Sequence, residues 1–260
     1  MTATNIHPTA VVDPSAELGE GVTVGPFAVI EGDVIVGDGS QIAGHALLAR
    51  GTRLGRKCVV HYSAVVGTIP QDLKFEGEET TLEIGDETVI REFCTLNRGT
   101  KENWKTVIGS RCLLMAYAHV AHDCEIGDRT VLSNGVQLGG HVKIEHDAGI
   151  GGWTPAHQFT RIGMYAFVGG GYRIIKDVPP FVLASGEPLR YFGLNTVGLR
   201  RRGFPEERIA PIKKAYRLIY RSGLNVSQAL ARIKDEMEIN EDIRHIIEFI
   251  ESSERGIIGG

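Results

Sequence analysis

Residues 132–151 read LSNGVQLGGHVKIEHDAGIG, and in this segment an aliphatic residue returns at every sixth position. The same step of six continues in both directions, from Ile6 to Ile174, with two interruptions. The series has 26 positions, of which 25 are Ile, Leu or Val, and Ala156 is the exception. An α-helix repeats about every 3.6 residues and a strand about every two, so neither alone sustains this period. The repeat therefore indicates short strands joined by turns.

Two further positions of the repeat describe the turns. Glycine often follows the aliphatic residue, as at Gly127 and Gly139, and suits a tight corner where a side chain would clash or where φ is positive. The fourth residue after the aliphatic one is usually small. Three repeats then form one coil of eighteen residues, in which each aliphatic side chain stacks on its equivalent one coil above. The pattern resembles that of hexapeptide-repeat proteins, which implies a mainly β fold, a left-handed parallel β-helix.

The repeat pauses twice, at Thr68–Glu83 and at Lys101–Val107, yet its phase is unchanged beyond each pause. These two segments are predicted to be loops extruded from a continuous coil. Loops on a rigid scaffold often carry functional residues.

The pattern changes after Val178. From Phe204 the apolar residues follow helical spacing as far as Gly223, and two further helices fit Ser227–Met237 and Glu241–Glu251. We therefore expect a catalytic β-helix domain over residues 1–186 and a small α-helical domain over residues 187–260.

Composition narrows the class of protein. The net charge of −4 argues against nucleic-acid binding, and no apolar run approaches the roughly 20 residues of a membrane span. The polar segment Met1–Thr9 lacks the features of a signal peptide, so a cytoplasmic protein is expected. The four cysteines occupy the small inward position of the repeat and are predicted to fill the core rather than to bind metal. They are Cys58, Cys94, Cys112 and Cys124.

The histidines are the candidates for chemistry. A coil of eighteen residues places Gly140 above His122 and Gln158 above Gly140, with His141 and His157 beside them. A neutral imidazole can remove a proton from a hydroxyl, an adjacent carboxylate such as Asp123 can orient the ring, and a glycine amide can stabilise an oxyanion. Two alternatives stay open, namely unrelated surface histidines and a zinc site, since three clustered histidines can bind zinc.

Several segments together are similar to the UDP-N-acetylglucosamine acyltransferase family of lipid A biosynthesis over essentially the whole chain. The matching segments are Gln71–Lys74, Leu113–Met115, Ala121–Cys124, Gly139–His141, Ala156–Phe159, Asp177–Pro180, Arg201–Phe204 and Ala215–Gly223. The resemblance implies a homotrimer with substrate clefts between subunits. The sequence itself shows no nucleotide-fold glycine motif, and no cofactor or metal is expected. It also implies an (R)-3-hydroxyacyl chain on acyl carrier protein as donor and the 3-hydroxyl of UDP-N-acetylglucosamine as acceptor.

The resemblance also assigns roles to residues. It implies that His122 is the general base, that Asp123 is its partner, and that the Gly140 backbone supports the oxyanion. The residues expected to bind substrate are Asp72 and Lys74 from the first loop of the same or the adjacent subunit, His119, His141, His157 and Gln158 at the sugar and donor, and Asn195, Arg201 and Arg202 at the nucleotide. Gly170, with Tyr172 and Arg173 nearby, is expected to set the acyl length.

Two positions depart from the family pattern, since Asn97 replaces a common histidine and Val197 a frequent glutamate. A 3-amino analogue of the acceptor sugar therefore stays open. Three other functions also stay open: the related N-acyltransferase, an acetyl-CoA-dependent hexapeptide acetyltransferase and a non-catalytic scaffold. The N-acyltransferase normally carries an extra N-terminal domain, for which the repeat is expected to leave no room before Ile6.

A set of basic residues is either a solvated helical face or a docking surface for acyl carrier protein. It comprises Arg200, Arg201, Arg202, Lys213, Lys214, Arg217 and Arg221.

Overall fold

The structure is a computed structural model that describes residues 4–260. The first three residues of the expected domain 1–186, and of the segment Met1–Thr9, lie outside the described residues. Within the described part, three sheets form the sides of a coil, and their strands are numbered here in chain order. Every pairing between successive coils is parallel.

Each sheet takes one strand from each coil, and a hairpin at the C-terminal end of the coil extends the first sheet. The first sheet contains β1 (Asn5–Ile6), β4 (Thr23–Val24), β7 (Gln41–Ile42), β10 (Val59–Val60), β13 (Val89–Ile90), β16 (Leu113–Leu114), β19 (Val131–Leu132), β22 (Gly149–Ile150), β25 (Phe167–Val168), β26 (Val182–Ser185) and β27 (Arg190–Leu194). The second contains β2 (Val11–Val12), β5 (Val29–Ile30), β8 (Leu47–Leu48), β11 (Val65–Thr68), β14 (Thr95–Asn97), β17 (His119–Val120), β20 (Gln137–Leu138) and β23 (Pro155–Ala156). The third contains β3 (Glu17–Leu18), β6 (Ile35–Val36), β9 (Thr52–Leu54), β12 (Thr81–Ile84), β15 (Lys105–Ile108), β18 (Glu125–Ile126), β21 (Lys143–Ile144) and β24 (Arg161–Ile162).

The predicted parallel β-helix is confirmed. Leu132 pairs with Ile150 and Val120 with Leu138, so equivalent residues are eighteen apart. The coils that carry the two loops are longer, and there Val60 pairs with Ile90 and Ile90 with Leu114. The repeated aliphatic side chains are buried from Val24 onward and form the core. Ile6 is 43% exposed because it belongs to the first coil, at the open end of the stack. The four cysteines are free and buried, as predicted.

The sequence suggests two reasons for glycine after the aliphatic residue, a steric clash and a positive φ. The second reason is wrong at most coils. The positive φ angles fall two residues later, mostly at non-glycine residues such as Asp123 (58°) and His141 (61°). Glycine is needed because the next coil is too close. A Cβ on Gly37 would lie 2.6 Å from the backbone carbon of Gly55, and one on Gly127 would lie 2.5 Å from the amide nitrogen of His146. The close stacking of coils thus excludes a side chain at this position.

Both loops exist, but the first is shorter than predicted, and the second begins and ends three residues earlier than predicted. The structure extends β11 through Thr68 and starts β12 at Thr81, which leaves residues 69–80 as the first loop. It starts β15 at Lys105, so the second loop covers residues 98–104. The strands beside the loops are longer than the two-residue strands elsewhere because β12 and β15 pair over four residues.

The C-terminal helices match the prediction closely. They are α1 (Thr196–Arg201), α2 (Glu206–Arg221), α3 (Val226–Glu236) and α4 (Glu241–Glu251). The short α1 and the antiparallel hairpin of β26 and β27 were not predicted. This hairpin spans the expected boundary between residues 186 and 187, and the division into two domains stays a prediction.

Polar contacts hold the helices against the coil. The Tyr216 hydroxyl donates to the Pro180 carbonyl at 2.6 Å, and His245 of α4 bonds Glu145 beside the third sheet at 2.7 Å. None of the helices in residues 4–260 combines the length and the apolar character that crossing a membrane requires.

Candidate active site

His122 and Asp123 form a hydrogen-bonded pair in the turn between β17 and β18. His122 Nδ1 lies 2.8 Å from Asp123 Oδ2, and the Asp123 side chain is fully buried whereas 15% of the His122 side chain is exposed. Because Nδ1 carries the proton shared with the carboxylate, Nε2 of the neutral ring has a free lone pair. We call this edge of the coil, with turns at residues 121–124, 139–142 and 157–160, the site corner.

The second loop fixes the Asp123 carboxylate. Thr100 donates its amide to Asp123 Oδ1 at 2.9 Å and its hydroxyl to Asp123 Oδ2 at 2.7 Å. The Asp123 amide in turn donates to the Thr106 hydroxyl at 2.8 Å. A buried carboxylate needs such partners, since an unpaired one would lose its hydration without compensation.

These contacts shift the pKa values of the pair in opposite directions. The hydrogen bond that His122 donates to Asp123 raises the pKa of His122, and burial opposes this effect more weakly. Burial by itself raises the pKa of Asp123, but the hydrogen bonds from His122 and Thr100 outweigh it, and the pKa is lowered. The geometry thus favours an anionic Asp123 beside an imidazole that accepts a proton readily.

Gly140 lies directly above His122. A Cβ built on Gly140 would lie 2.6 Å from His122 Cε1 and 2.8 Å from His122 Nε2, so only glycine is compatible with the position of the His122 ring. Within residues 4–260 the Gly140 amide donates to no acceptor. At another corner the amide in the same slot, that of Arg56, binds an oxygen of Asp86 at 2.8 Å. The slot can therefore bind a negatively charged oxygen, and at Gly140 it is open beside Nε2.

His141 is the third member of the cluster. Its Nε2 lies 3.3 Å from Glu102 Oε2 and 3.6 Å from Asp123 Oδ2, and its ring stacks on Phe159 with centroids 4.5 Å apart. The ligand atoms of His122, Asp123 and His141 all lie within 4.8 Å of one another, which is close enough to hold a metal ion. An ion there would compete with the two hydrogen bonds that Asp123 Oδ2 already accepts.

Other expected substrate residues surround this corner less closely. His119 lies on the outer side of β17, hydrogen-bonds Thr95 at 2.7 Å, and has a pKa that burial lowers. His157 and Gln158 lie in the next turn with exposed side chains. Asp72 of the first loop is near enough for its charge to raise the pKa of His122.

Lys74 belongs to the same loop, and its side chain is exposed. The Lys74 amide donates to Asp72 Oδ1 at 3.0 Å, which fixes the local turn of the loop. The loop residues therefore reach the side of the coil where His122 lies, within a single chain.

The expected nucleotide residues form a separate site. Asn195 caps α1, with Oδ1 accepting the Gly198 amide at 3.2 Å and Nδ2 donating to the Tyr165 carbonyl at 3.0 Å. Arg201, Arg202 and Asn195 line a groove of about 510 Å³ on the outer face of the first sheet, here called the arginine groove. The site corner joins the second and third sheets, so one chain does not bring these residues to His122.

The expected acyl-length residues lie elsewhere again. Gly170 follows β25, at the corner between the first and second sheets, and a Cβ on it would lie 2.9 Å from the Gly152 carbonyl. Tyr172 is half-buried and Arg173 is exposed on the same turn. These residues are therefore remote from His122 in the same chain.

Sequence reasoning missed four residues with prominent contacts. Phe159 lies eighteen positions after His141, and Asp147, which binds Arg202, lies eighteen after Arg129, so the same period could have found both. Thr100 and Glu102 lie in the second loop, where the repeat gives no information.

Comparison with known proteins identifies the family. Residues 15–50 and 105–140 match the bacterial transferase hexapeptide model, and residues 177–258 match the model for domain 2 of UDP-N-acetylglucosamine O-acyltransferase. An acyl-[acyl-carrier-protein]–UDP-N-acetylglucosamine O-acyltransferase of Alkalilimnicola ehrlichii is 50% identical over 98% of this chain and 99% of its own. The chain belongs to the UDP-N-acetylglucosamine O-acyltransferase family.

Solved structures of this acyltransferase family share the fold. LpxA of Acinetobacter baumannii is 43% identical and superposes with a TM-score of 0.94 over 97% of this chain and 99% of its own. The UDP-N-acetylglucosamine acyltransferase of Francisella novicida is 34% identical, with a TM-score of 0.95 over 98% of this chain and 94% of its own.

The two departures from the family pattern occupy different places. Asn97 is buried at the end of β14, where Nδ2 donates to the Thr68 hydroxyl at 3.0 Å and to the Ile69 carbonyl at 3.1 Å. Asn97 therefore holds the start of the first loop. Val197 is 59% exposed on α1 and lines the arginine groove. That groove thus has an apolar side chain where many relatives are expected to carry a carboxylate.

Proposed function

We propose that this acyltransferase moves an (R)-3-hydroxyacyl chain from acyl carrier protein to the 3-position of UDP-N-acetylglucosamine, the first step of lipid A biosynthesis. The names of its relatives support the donor and acceptor. The observation that carries the chemistry is the His122–Asp123 pair, which lies directly beneath the open amide of Gly140. A cytoplasmic location stays a prediction.

In the proposed reaction, His122 Nε2 accepts the proton of the sugar 3-hydroxyl as its oxygen attacks the thioester carbonyl. Asp123 stabilises the imidazolium cation, and the Gly140 amide donates to the oxyanion of the tetrahedral intermediate. Collapse of that intermediate breaks the carbon–sulfur bond, and the imidazolium returns its proton to the thiolate of the carrier. The step needs no other reactant.

We further propose that the enzyme works as a homotrimer. In one chain the base and the arginine groove lie on different sides of the coil, so a sugar nucleotide bound by both needs a second subunit. The same argument applies to Gly170, Tyr172 and Arg173, which would meet the acyl chain from a neighbouring subunit.

The donor partner is supported by surface charge. The basic set on α1 and α2 is exposed, and complementary charge accelerates encounter with an acidic carrier protein. Two arginines of this set have an ion-pair partner: Arg200 binds Glu206, and Arg202 binds Asp147. Arg201 lines the arginine groove, and Lys213, Lys214, Arg217 and Arg221 are available to a partner.

A transfer assay tests the proposal. Purified protein receives (R)-3-hydroxyacyl carrier proteins of several lengths with UDP-N-acetylglucosamine or its 3-amino analogue, and product is measured. His122→Ala is expected to lower kcat on the order of a hundredfold or more. His7→Ala, which removes an exposed histidine of the first coil, is the matched control and should keep wild-type turnover.

Two outcomes would reject the proposal. Transfer from acetyl-CoA without transfer from any acyl carrier protein would assign the chain to another reaction. Wild-type turnover by the His122→Ala protein would leave the acceptor without the proposed base.

A further inference from the structure

A buried carboxylate underlies the arginine groove. Asp147 lies in the turn between β21 and β22, and only 2% of its side chain is exposed. Arg129 donates to both of its oxygens, from Nε at 2.9 Å and from Nη2 at 2.6 Å, and His146 Nδ1 lies 2.7 Å from Oδ2. Arg202, at the C-terminal end of α1, donates from Nη1 to Asp147 Oδ1. One carboxylate therefore connects the coil to a residue of the groove.

The charges at this point do not balance. Asp147 carries one negative charge between two guanidinium groups, so the trio keeps a net positive charge. Arg129 Nε and Arg202 Nη1 both donate to Oδ1 of Asp147, so the two guanidinium groups are close enough to repel each other, and burial and the charge of Arg129 both lower the pKa of Arg202. Asp147 offsets this repulsion and holds Arg202 in the groove.

The contact leaves most of Arg202 available. A guanidinium has five N–H groups, and Asp147 takes only Nη1 of Arg202. The floor of the groove is apolar and includes Val131 and Leu183. An apolar floor beside fixed cationic groups fits a nucleoside diphosphate, whose base is flat and whose phosphates are anionic.

We infer that Asp147 is a positioning residue for the acceptor, because it fixes Arg202 with its free N–H groups toward the diphosphate of the sugar nucleotide. The inference rests on the proposed function. It adds that groove affinity depends on a carboxylate that acts through Arg202 rather than by binding the anionic diphosphate. Loss of Asp147 should therefore weaken acceptor binding and leave the chemical step almost unchanged.

Asp147→Asn is the test, because it removes the charge and keeps the shape. KM and the Kd for UDP-N-acetylglucosamine, measured by titration calorimetry, are expected to rise roughly tenfold, with kcat within about threefold of wild type. Asp242→Asn is the matched control. Asp242 is also buried and binds Arg208 through two hydrogen bonds of 2.7 and 2.8 Å, but it is not among the residues of the groove. Its KM should not change.

Two further comparisons separate positioning from a general loss of stability. If Asp147 acts through Arg202, the Asp147→Asn change should have no added effect on KM in an Arg202→Ala background. If it offsets Arg129, then Arg129→Gln should restore part of the affinity lost in Asp147→Asn, although it removes another buried contact. If Asp147 were merely structural, the fold-increases in KM of the two single variants would multiply in each double variant.

The outcomes are distinguishable. Wild-type protein that neither binds nor acylates UDP-N-acetylglucosamine or its 3-amino analogue would overturn the proposed function and this inference together. An active wild type with Asp147→Asn at unchanged or lower KM would overturn the inference alone. So would an Asp147→Asn effect that multiplies with that of Arg202→Ala.

Discussion

Replacing Gly140 by alanine tests the position of His122 without touching His122. The new methyl carbon would lie 2.6 Å from His122 Cε1 and 2.8 Å from Nε2. Nonbonded carbons prefer a separation of about 3.5 to 4 Å, so the ring must retreat by roughly 1 Å. The backbone at Gly140 does not have a positive φ, so alanine itself fits the turn.

The ring cannot retreat without cost to the proposed mechanism. Its Nδ1 is held by Asp123 at 2.8 Å, and Asp123 is held in turn by two bonds from Thr100. A displacement of Nε2 by roughly 1 Å from a reacting hydroxyl is expected to lower kcat on the order of a hundredfold. The melting temperature should change little, since the nearest atoms belong to a side chain at the surface of the coil.

The measurement is kcat for acyl transfer, with the melting temperature recorded on the same preparations. Gly44→Ala is the matched control because Gly44 occupies the same slot of a turn remote from the site corner. Its Cβ would lie 2.8 Å from the Pro26 carbonyl oxygen, so it should cost stability rather than turnover. If Gly140→Ala keeps kcat within about threefold of wild type, the placement of Nε2 beneath Gly140 does not govern the reaction.

Two pH-dependent predictions follow from the shifted pKa values. Asp123→Asn removes the group that raises the pKa of His122, so the acid limb of the pH profile of kcat/KM should move to lower pH. The plateau of that profile should fall by up to about 10⁴-fold. An acid limb at the wild-type pH would contradict the prediction. The hydrogen bond to Glu145 raises the pKa of His245, and its contribution to stability is therefore full below about pH 6.5 and is lost as pH rises through the raised value. His245→Asn should lower the free energy of unfolding by about 1 kcal/mol at pH 6 and by less at pH 9 in urea titrations, whereas equal losses would contradict the prediction.

The period of six predicts the coil because it is a packing rule rather than a propensity. An aliphatic residue at every sixth position fills one column per sheet, and eighteen residues per coil follow from three sheets. That number was enough to place Gly140 over His122 across a gap that no local motif spans. Glycine often follows the aliphatic residue because the next coil is close and, at most coils, not because φ is positive, and the repeat alone does not distinguish these two causes.

The loops and the groove could not be predicted in the same way. Thr100 holds both oxygens of Asp123, yet it lies outside the repeat, and its hydrogen bonds depend on how residues 98–104 fold back onto the coil. Arg202 meets Asp147 only because α1 follows a hairpin that continues the first sheet. Such contacts join parts of the chain that share no period.

The rigidity of the coil limits which residues of one chain can act together. Residues in phase with His122, such as Gly140 and Gln158, return to the site corner on every coil, whatever their distance in sequence. The arginine groove lies on the first sheet, opposite the corner that the second and third sheets share. The hydrogen bonds between successive coils hold these two surfaces of one chain apart. A substrate bound by His122 and by Arg202 at the same time would therefore have to lie between two subunits, which makes assembly a condition of the proposed reaction rather than a means of added stability.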